Sequence, residues 1–287
     1  MGIAAVIIPG LLLWGGLAVF GLGALLARSS GFPVKWPVLA AGLIGVAALI
    51  LAGFAGRAAY APQAGRWPTW TGLDQKGWER LAYACLLLAG VLGLLLQWGW
   101  RTGDFTILLW TLGILGGYFT FGPPLAWYRR GWGEIWGSFC FGLLPVFTGY
   151  YLQSRHLVSE ILLYGLPLSL AAFNLFLVLG FPNPEQEEGT TPSSLATRLG
   201  PVGAGLVFTI INILTIVGLV IYLLFPAASL RGQAWLWALV LLALVNQELI
   251  KRRAYYQATR IRLLGWLCLA LYLGMILIFA VGLWGRL

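Results

Sequence analysis

The 287 residues carry too few charges for a water-soluble fold, since 60% are hydrophobic, 9% are charged and the mean hydropathy is +0.87. An ordinary soluble domain has about 25% charged residues, so this composition excludes a soluble enzyme, a disordered chain and a nucleic-acid-binding domain. The net charge of +9 therefore indicates membrane topology and contact with anionic lipid, and no nucleic-acid partner is expected.

Continuous apolar runs recur nine times along the chain, and each is long enough to cross the hydrocarbon core of a bilayer. A transmembrane β-barrel would need alternating apolar and polar residues instead. We therefore expect an all-α integral membrane protein, with about nine transmembrane helices in a single domain over residues 1–287. The predicted spans are 3–27, 37–56, 80–99, 105–122, 134–153, 160–181, 202–225, 233–250 and 263–285.

Two connections are long, Arg57–Glu79 and Pro182–Pro201, and both contain clustered Pro, Gly and polar residues. Basic residues are unevenly divided between the two membrane sides that nine alternating spans define, with 12 on one side and 6 on the other. The positive-inside rule then places the N-terminus and both long loops in the cytoplasm. The 12 are Arg57, Arg66, Lys76, Arg80, Arg129, Arg130, Arg198, Lys251, Arg252, Arg253, Arg260 and Arg262, and the 6 are Arg28, Lys35, Arg101, Arg155, Arg231 and Arg286.

A few polar side chains fall inside the predicted spans, namely Asn174, Asn212 and the group Asn246-Gln247-Glu248. Polar groups in hydrocarbon are costly, so they mark either hydrogen bonds between helices or a functional site. The sequence leaves both interpretations open, and hydrogen bonding between helices is the simpler one.

Three segments resemble the UbiA superfamily of intramembrane prenyltransferases. Gly131–Gln153, GWGEIWGSFCFGLLPVFTGYYLQ, resembles a glycine-rich span of that family, and Pro9–Gly16 resembles its first span. Phe181–Gly200, FPNPEQEEGTTPSSLATRLG, resembles the second signature loop of the menaquinone and chlorophyll-synthase-like branch. Long loops after spans two and six also fit the layout of this family. The agreement in the signature loop is at Leu195, Arg198, Leu199 and Gly200.

The resemblance implies a helical bundle with a central cavity. Members of the family move an isoprenyl group from a prenyl diphosphate to an aromatic acceptor, such as a quinone precursor or a porphyrin. Two acidic motifs hold Mg²⁺ ions, which stabilise the negative charge of the leaving diphosphate. Magnesium is therefore the expected cofactor if this chain is an active member, and no cofactor is expected otherwise.

The chain departs from the family at both acidic motifs. The first motif, N-x-x-x-D-x-x-x-D, should follow the second span, but Gly53–Trp67 contains no carboxylate, and neither does any residue in Met1–Leu73. In the second motif, Asn183 and Glu187 stand where aspartates are expected, so they form at most a vestigial metal site. These departures indicate a degenerate member of the family.

Two functions remain open. The missing carboxylates favour a pseudoenzyme that binds an isoprenoid lipid, quinone or pigment, or that is a subunit of a larger membrane complex. The alternative is an active prenyltransferase in which guanidinium groups hold the diphosphate directly. The candidate substrate-binding residues are Arg57, Arg66, Arg129, Arg130, Asn174 and Arg198, and the sequence identifies no catalytic residue among them.

Overall fold

The computed structural model describes residues 2–60, 73–181, 194–224 and 230–286, with side chains from residue 10 onward and, in the last range, from residue 235. Every regular element in these ranges is a helix, which confirms the all-α prediction. The helices are α1 (Gly2–Ser29), α2 (Trp36–Tyr60), α3 (Gln75–Leu94), α4 (Thr106–Tyr118), α5 (Gly133–Phe141), α6 (Leu143–Ser154), α7 (Glu160–Leu179), α8 (Leu195–Leu224), α9 (Leu230–Lys251) and α10 (Ala258–Trp284).

Within the described ranges, seven helical segments are long and apolar enough to cross a membrane, which supports a multi-pass integral membrane protein. The apolar helix α4 is shorter, and α9 covers the predicted span 233–250. Nine spans are compatible with these helices, and the number stays a prediction. The seven segments are Gly10–Ser29, Trp36–Tyr60, Gln75–Gly99, Gly133–Ser154, Glu160–Leu179, Leu195–Leu224 and Ala258–Trp284.

The predicted fifth span, 134–153, is divided at Gly142 into α5 and α6. Pro145 has no N–H group, so the carbonyl of Phe141 cannot receive the usual helical hydrogen bond from it. The Tyr272 hydroxyl donates to that carbonyl instead, at 2.6 Å. The Leu143 N–H donates to the Ser169 hydroxyl at 2.7 Å. The break is therefore stabilised by side chains that replace the missing backbone bonds.

The chain divides into two compact units, and the first comprises Met1–Trp127 and Leu144–Val158. Its helices α1 and α6 approach closely at Gly23 and Gly149, where a Cβ atom on either glycine would overlap backbone atoms of the other helix. Small residues permit such contact between membrane helices, whose association depends on van der Waals packing. The buried core alongside includes Phe20, Trp110 and Leu152.

The second unit comprises Tyr128–Leu143 and Ser159–Leu287. Its core contains the rings of Tyr164, Tyr222 and Phe279, whose centroids lie 4.7–5.4 Å apart in tilted and edge-to-face pairs. Helix α8 bends at Gly200, which has φ 70° and ψ 169° and precedes Pro201. The single-domain prediction stays a prediction, because the two compact units do not test it.

Candidate functional site

The first candidate site lies in the second unit, where α8 begins. Glu134, in the first turn of α5, is 4% exposed, and its Oε1 accepts the Leu195 N–H at 2.8 Å. This N–H belongs to the first turn of α8, which has no partner for it within the helix. A carboxyl group is a strong acceptor there and also faces the positive end of the helix dipole. Glu134 therefore caps α8.

Ser194 and Thr197 complete the start of α8. The Ser194 N–H donates to the Thr197 hydroxyl at 3.0 Å, and the Thr197 N–H donates to the Ser194 hydroxyl at 3.1 Å. These two reciprocal hydrogen bonds form a capping box, with Thr197 in the place of the usual Glu or Gln. The Ser194 hydroxyl also donates to the Gly180 carbonyl at 2.7 Å, which joins α8 to the end of α7. The start of α8 is thus fixed to two other helices.

Three predicted arginines meet at this end of the unit. The Arg198 guanidinium donates to the carbonyl of Arg129, and Arg130 is the next residue along the chain. Gly131 makes the approach possible, because its φ is 78° and an added Cβ would lie 2.9 Å from Cδ of Arg198. All three arginines are exposed. The arrangement concentrates positive charge where an anionic group could bind.

Asn174 lies apart from these arginines in α7, where it is 2% exposed. Among the described residues, neither of its amide atoms has a hydrogen-bond partner. Asn212 makes the expected bonds between helices, since its Nδ2 donates to the Ala243 carbonyl at 2.8 Å and to Gln247 Oε1 at 3.1 Å. Glu248 instead points to the surface and pairs with Arg252 at 2.8 Å. Asn246 is likewise buried, and neither of its amide atoms has a partner among the described residues, so Asn174 and Asn246 are the polar groups in these spans that hydrogen bonds between helices do not explain.

The second candidate site lies in the first unit, at the C-terminal end of α2. The guanidinium of Arg57 lies 5.7 Å from the ring centroid of Phe121, within the range of a cation–π contact. Tyr60 follows one turn later on the same helix. Its hydroxyl lies 3.4 Å from that of Tyr83 on α3 and 3.5 Å from that of Tyr118 on α4.

Tyr118 and Tyr83 are 3.2 Å apart at their hydroxyls, so the three hydroxyls form a closed cluster, which we call the tyrosine triad (Tyr60, Tyr83 and Tyr118). Tyr118 is 4% exposed, whereas Tyr83 is 52% exposed and lines the outer side of the cluster. Each hydroxyl both donates and accepts, and its proton can rotate toward a ligand. Together with Arg57, the tyrosine triad offers donors to an oxygen-bearing ligand.

The end of the resembling span Gly131–Gln153 has a structural role in the first unit. Gln153 Oε1 accepts the Lys35 N–H at 2.8 Å, and the Tyr151 hydroxyl accepts the Phe105 N–H at 3.1 Å. Burial lowers the pKa of Lys35 below its usual value, and the positive charge of Arg155 lowers it further. These side chains hold loops in place, and no substrate role is needed to explain them.

The described carboxylates do not fit a magnesium site. In these ranges no three His, Cys, Asp or Glu side chains lie close enough together to hold a metal ion. Four of the six carboxylates have other partners that account for them. Asp74 caps α3 through the Gly77 N–H at 2.8 Å, and Glu134 caps α8. Glu160 pairs with Arg286 at 3.0 Å, and Glu248 pairs with Arg252 at 2.8 Å. The remaining candidate donors, Asn183 and Glu187, lie outside the described residues, as does Arg66.

The structure thus brings together some of the predicted residues. It groups Arg129, Arg130 and Arg198 in one unit and places Arg57 in the other. The tyrosine triad could not be predicted from the sequence, because its hydroxyls come from three helices and no local pattern relates them. The position of Tyr60 one turn after Arg57 was the only local signal. Glu134 lies in the resembling span Gly131–Gln153, but no sequence pattern indicates its hydrogen bond with Leu195.

No family model matches the sequence, and no curated protein matches it. Two solved structures are similar over nearly the whole length. The apo structure of a UbiA homologue from Aeropyrum pernix K1 has a TM-score of 0.66 and 17% identity, over 94% of this chain and 96% of that one. A digeranylgeranylglyceryl phosphate synthase has a TM-score of 0.68 and 12% identity, over 95% of this chain and 92% of that one. The chain therefore has a UbiA-like fold, as its sequence predicted.

Proposed function

We propose that this chain is a degenerate member of the UbiA superfamily, which binds an isoprenoid lipid, quinone or pigment and does not transfer prenyl groups. The observation that carries the proposal is the end of α2. The family places an acidic motif there, whereas this chain has Arg57 and the tyrosine triad, and no carboxylate from Met1 to Leu73. A guanidinium repels a divalent cation, and un-ionised phenols are poor substitutes for carboxylate ligands of Mg²⁺.

The same groups suit a neutral ligand with carbonyl oxygens. A tyrosine hydroxyl can donate a hydrogen bond to a quinone oxygen, and the surrounding rings of Phe119, Phe121 and Trp78 offer apolar surface to a flat head group. An isoprenoid tail needs only apolar surface, which membrane helices provide. The proposed role of the tyrosine triad is therefore to orient the oxygen end of the ligand.

The binding test uses a short-chain ubiquinone titrated into the purified protein in a non-ionic detergent. A neutral hydrogen bond contributes about 0.5–1.5 kcal/mol, so Tyr83→Phe should weaken binding by about 3–10-fold. Tyr256→Phe is the matched control, because Tyr256 is equally exposed, at 54%, but lies outside the tyrosine triad. Equal binding by Tyr83→Phe and the unaltered protein would contradict the assigned role.

The catalytic test is a pyrophosphate-release assay with Mg²⁺, prenyl diphosphates of several lengths and several aromatic acceptors. Removing half of a metal site that stabilises a leaving diphosphate should reduce the rate by orders of magnitude, because each loss of about 1.4 kcal/mol costs tenfold. We expect no release above background. Release that Glu187→Ala abolishes would refute the proposal and establish an active, metal-dependent enzyme.

The arginine cluster in the second unit favours one alternative, an active prenyltransferase that holds the diphosphate without a metal pair. Arg198 and Arg129 are brought together there, beside Arg130. A guanidinium group can donate two parallel hydrogen bonds to two oxygens of one phosphate. In that case release should persist in a chelator and fall in Arg198→Gln. The control is Arg28→Gln, which removes an exposed arginine at the end of α1.

Membership of a larger membrane complex is a further part of the proposal. Exposed apolar side chains line α3 and α8, including Leu87 at 71% and Val202 at 66%. Such surfaces meet lipid or other membrane helices, and the glycine content of the chain, 39 residues, suits close helix packing. Extraction of native membranes in mild detergent should recover the chain with other subunits. Recovery as a single monodisperse chain would count against a complex.

A further inference from the structure

The connection between α9 and α10 is the most basic segment of the chain. Residues 248–262 hold five cationic side chains against one carboxylate, Glu248, which gives a local charge of +4. Glu248 is engaged by Arg252 at 2.8 Å, and all five cationic side chains are exposed. The five are Lys251, Arg252, Arg253, Arg260 and Arg262.

The turn that carries these charges is held firmly in the second unit. Ala254 is fully buried, and the ring of Tyr255 stacks on Phe181 with centroids 6.1 Å apart and an angle of 17° between planes. Tyr255 also packs against Gly205 of α8, where an added Cβ would lie 3.0 Å from the ring. The cationic side chains therefore extend from a fixed backbone.

Arg253 adopts a left-handed conformation, with φ 55° and ψ 44°. Glycine is the usual residue in this conformation just after a helix, because a Cβ atom makes it strained. The favourable interaction of a cation with the C-terminal end of a helix accounts for an arginine at this position. It applies equally to Arg101 and Arg155, which follow helix ends with φ 49° and φ 63°.

The surroundings of the turn place it at the level of the lipid head groups. Helix α10 is apolar and long enough to cross the membrane, and it begins at Ala258. Tyr256 and Trp266 flank the cationic group and are 54% and 41% exposed, as expected of side chains at a membrane interface. Leu263, 49% exposed, faces outward between Arg262 and Trp266. Cations, interfacial aromatic rings and apolar surface thus occur together.

We propose that this segment, Glu248–Trp266, is a binding site for the head group of an anionic phospholipid. The guanidinium groups would bind the phosphodiester oxygens, and the aromatic and leucine side chains would contact the glycerol and upper acyl chains. The site uses residues of the second unit only, and the proposal does not depend on the proposed isoprenoid site. Its ligand is a structural lipid of the bilayer, recognised by charge.

The test titrates short-chain phosphatidylglycerol, and phosphatidylcholine of equal chain length, into the full chain in a non-ionic detergent. We expect phosphatidylglycerol to bind more tightly and its affinity to fall as salt is raised. Each cation near a membrane surface adds about fivefold to affinity. Arg253→Gly should therefore weaken binding about fivefold, and the triple change Lys251→Gln, Arg253→Gly and Arg260→Gln about a hundredfold.

The control is Arg101→Gly, the same substitution at another arginine with positive φ, on a different connection. It should leave phosphatidylglycerol binding unchanged. Arg253→Gly should unfold at the same temperature as the unaltered protein or higher, since glycine relieves the strained conformation. If it does not, Arg253→Asn provides the same measurement, because asparagine also tolerates this conformation.

Three outcomes would overturn the proposal. The first is equal affinity for phosphatidylglycerol and phosphatidylcholine. The second is a loss of affinity in Arg101→Gly as large as that in Arg253→Gly, which would show a general charge effect. The third is displacement of the lipid by an equal concentration of inorganic phosphate, which would assign the cationic group to a soluble anion.

Discussion

Replacement of Glu134 by alanine should destabilise the second unit more than any other change to a described carboxylate. Glu134 is 4% exposed, and its Oε1 accepts the Leu195 N–H at 2.8 Å. Alanine leaves that N–H without its acceptor in the first turn of α8. An unsatisfied buried donor costs about 1–3 kcal/mol, and loss of a helix cap costs about 0.5–2 kcal/mol. Because these two costs overlap, we expect a loss of about 2–3 kcal/mol.

The assay is thermal unfolding in detergent, followed by the loss of the monodisperse species. At about 2 °C per kcal/mol for a chain of this size, Glu134→Ala should lower the midpoint by about 5 °C. Glu134→Gln keeps a carbonyl oxygen at the same position and should cost about 1 kcal/mol or less. Glu160→Ala is the matched control, since Glu160 also lies in the first turn of a helix but is partly exposed in its pair with Arg286.

A second substitution tests the geometry itself. A Cβ atom at Gly180 would lie 2.9 Å from Oε1 of Glu134 and 3.1 Å from Cβ of Ser194. Gly180→Ala should therefore destabilise the protein, and less so when Glu134 is already alanine. The two changes should show a coupling of at least about 0.5 kcal/mol in a double-mutant cycle. Strict additivity, or a smaller effect of Glu134→Ala than of Glu160→Ala, would refute the assignment of the cap.

Three further predictions follow from the packing and the charge distribution. Gly149→Ala should prevent folding, because the added Cβ would overlap the backbone of α1, whereas Gly10→Ala, with nothing within 4 Å, should be tolerated; equal yields of folded protein would contradict this. Asn212→Leu removes two hydrogen bonds between helices and should lower the unfolding free energy in denaturing detergent by about 1 kcal/mol. In a cysteine-free background, a cysteine at Thr190 should be labelled from the cytoplasm and one at Leu157 from the other side, and the reverse pattern would refute the orientation.

The helices could be predicted from sequence because lipid demands that every backbone group be paired within the span. The ends of the helices could not be predicted in this way, because capping side chains and turns decide where each helix begins and ends. The fourth span was predicted to reach residue 122, but α4 ends at Tyr118 and the chain then turns toward Pro123-Pro124. The seventh was predicted to begin at residue 202, and the long part of α8 does begin there, after the break at Gly200. The short first segment of α8, from Leu195, was not predicted, because Ser194 and Glu134 cap it from beyond the apolar run.

The residues of the candidate sites were likewise predicted only in part from the sequence. Arg129 and Arg198 were both predicted as guanidinium groups able to hold a diphosphate, and the structure brings them into contact. The tyrosine triad depends on the mutual position of α2, α3 and α4, which apolar periodicity does not encode. Helices that are hydrophobic on all sides give no preferred face, so their contacts follow from shape and small residues.

The chain has only nine acidic residues, so the partner of each described carboxylate is informative. A carboxylate at a membrane helix end is costly unless it is paired or capped, and Asp74, Glu134 and Glu160 are each engaged in this way. A magnesium pair would need additional carboxylates whose charge is balanced only by the metal. The first 73 residues contain none, and Arg57 already brings positive charge to the end of α2. That segment thus offers no carboxylate to hold a metal, which is why we expect the fold to bind an isoprenoid ligand there and the metal-dependent diphosphate chemistry to be absent.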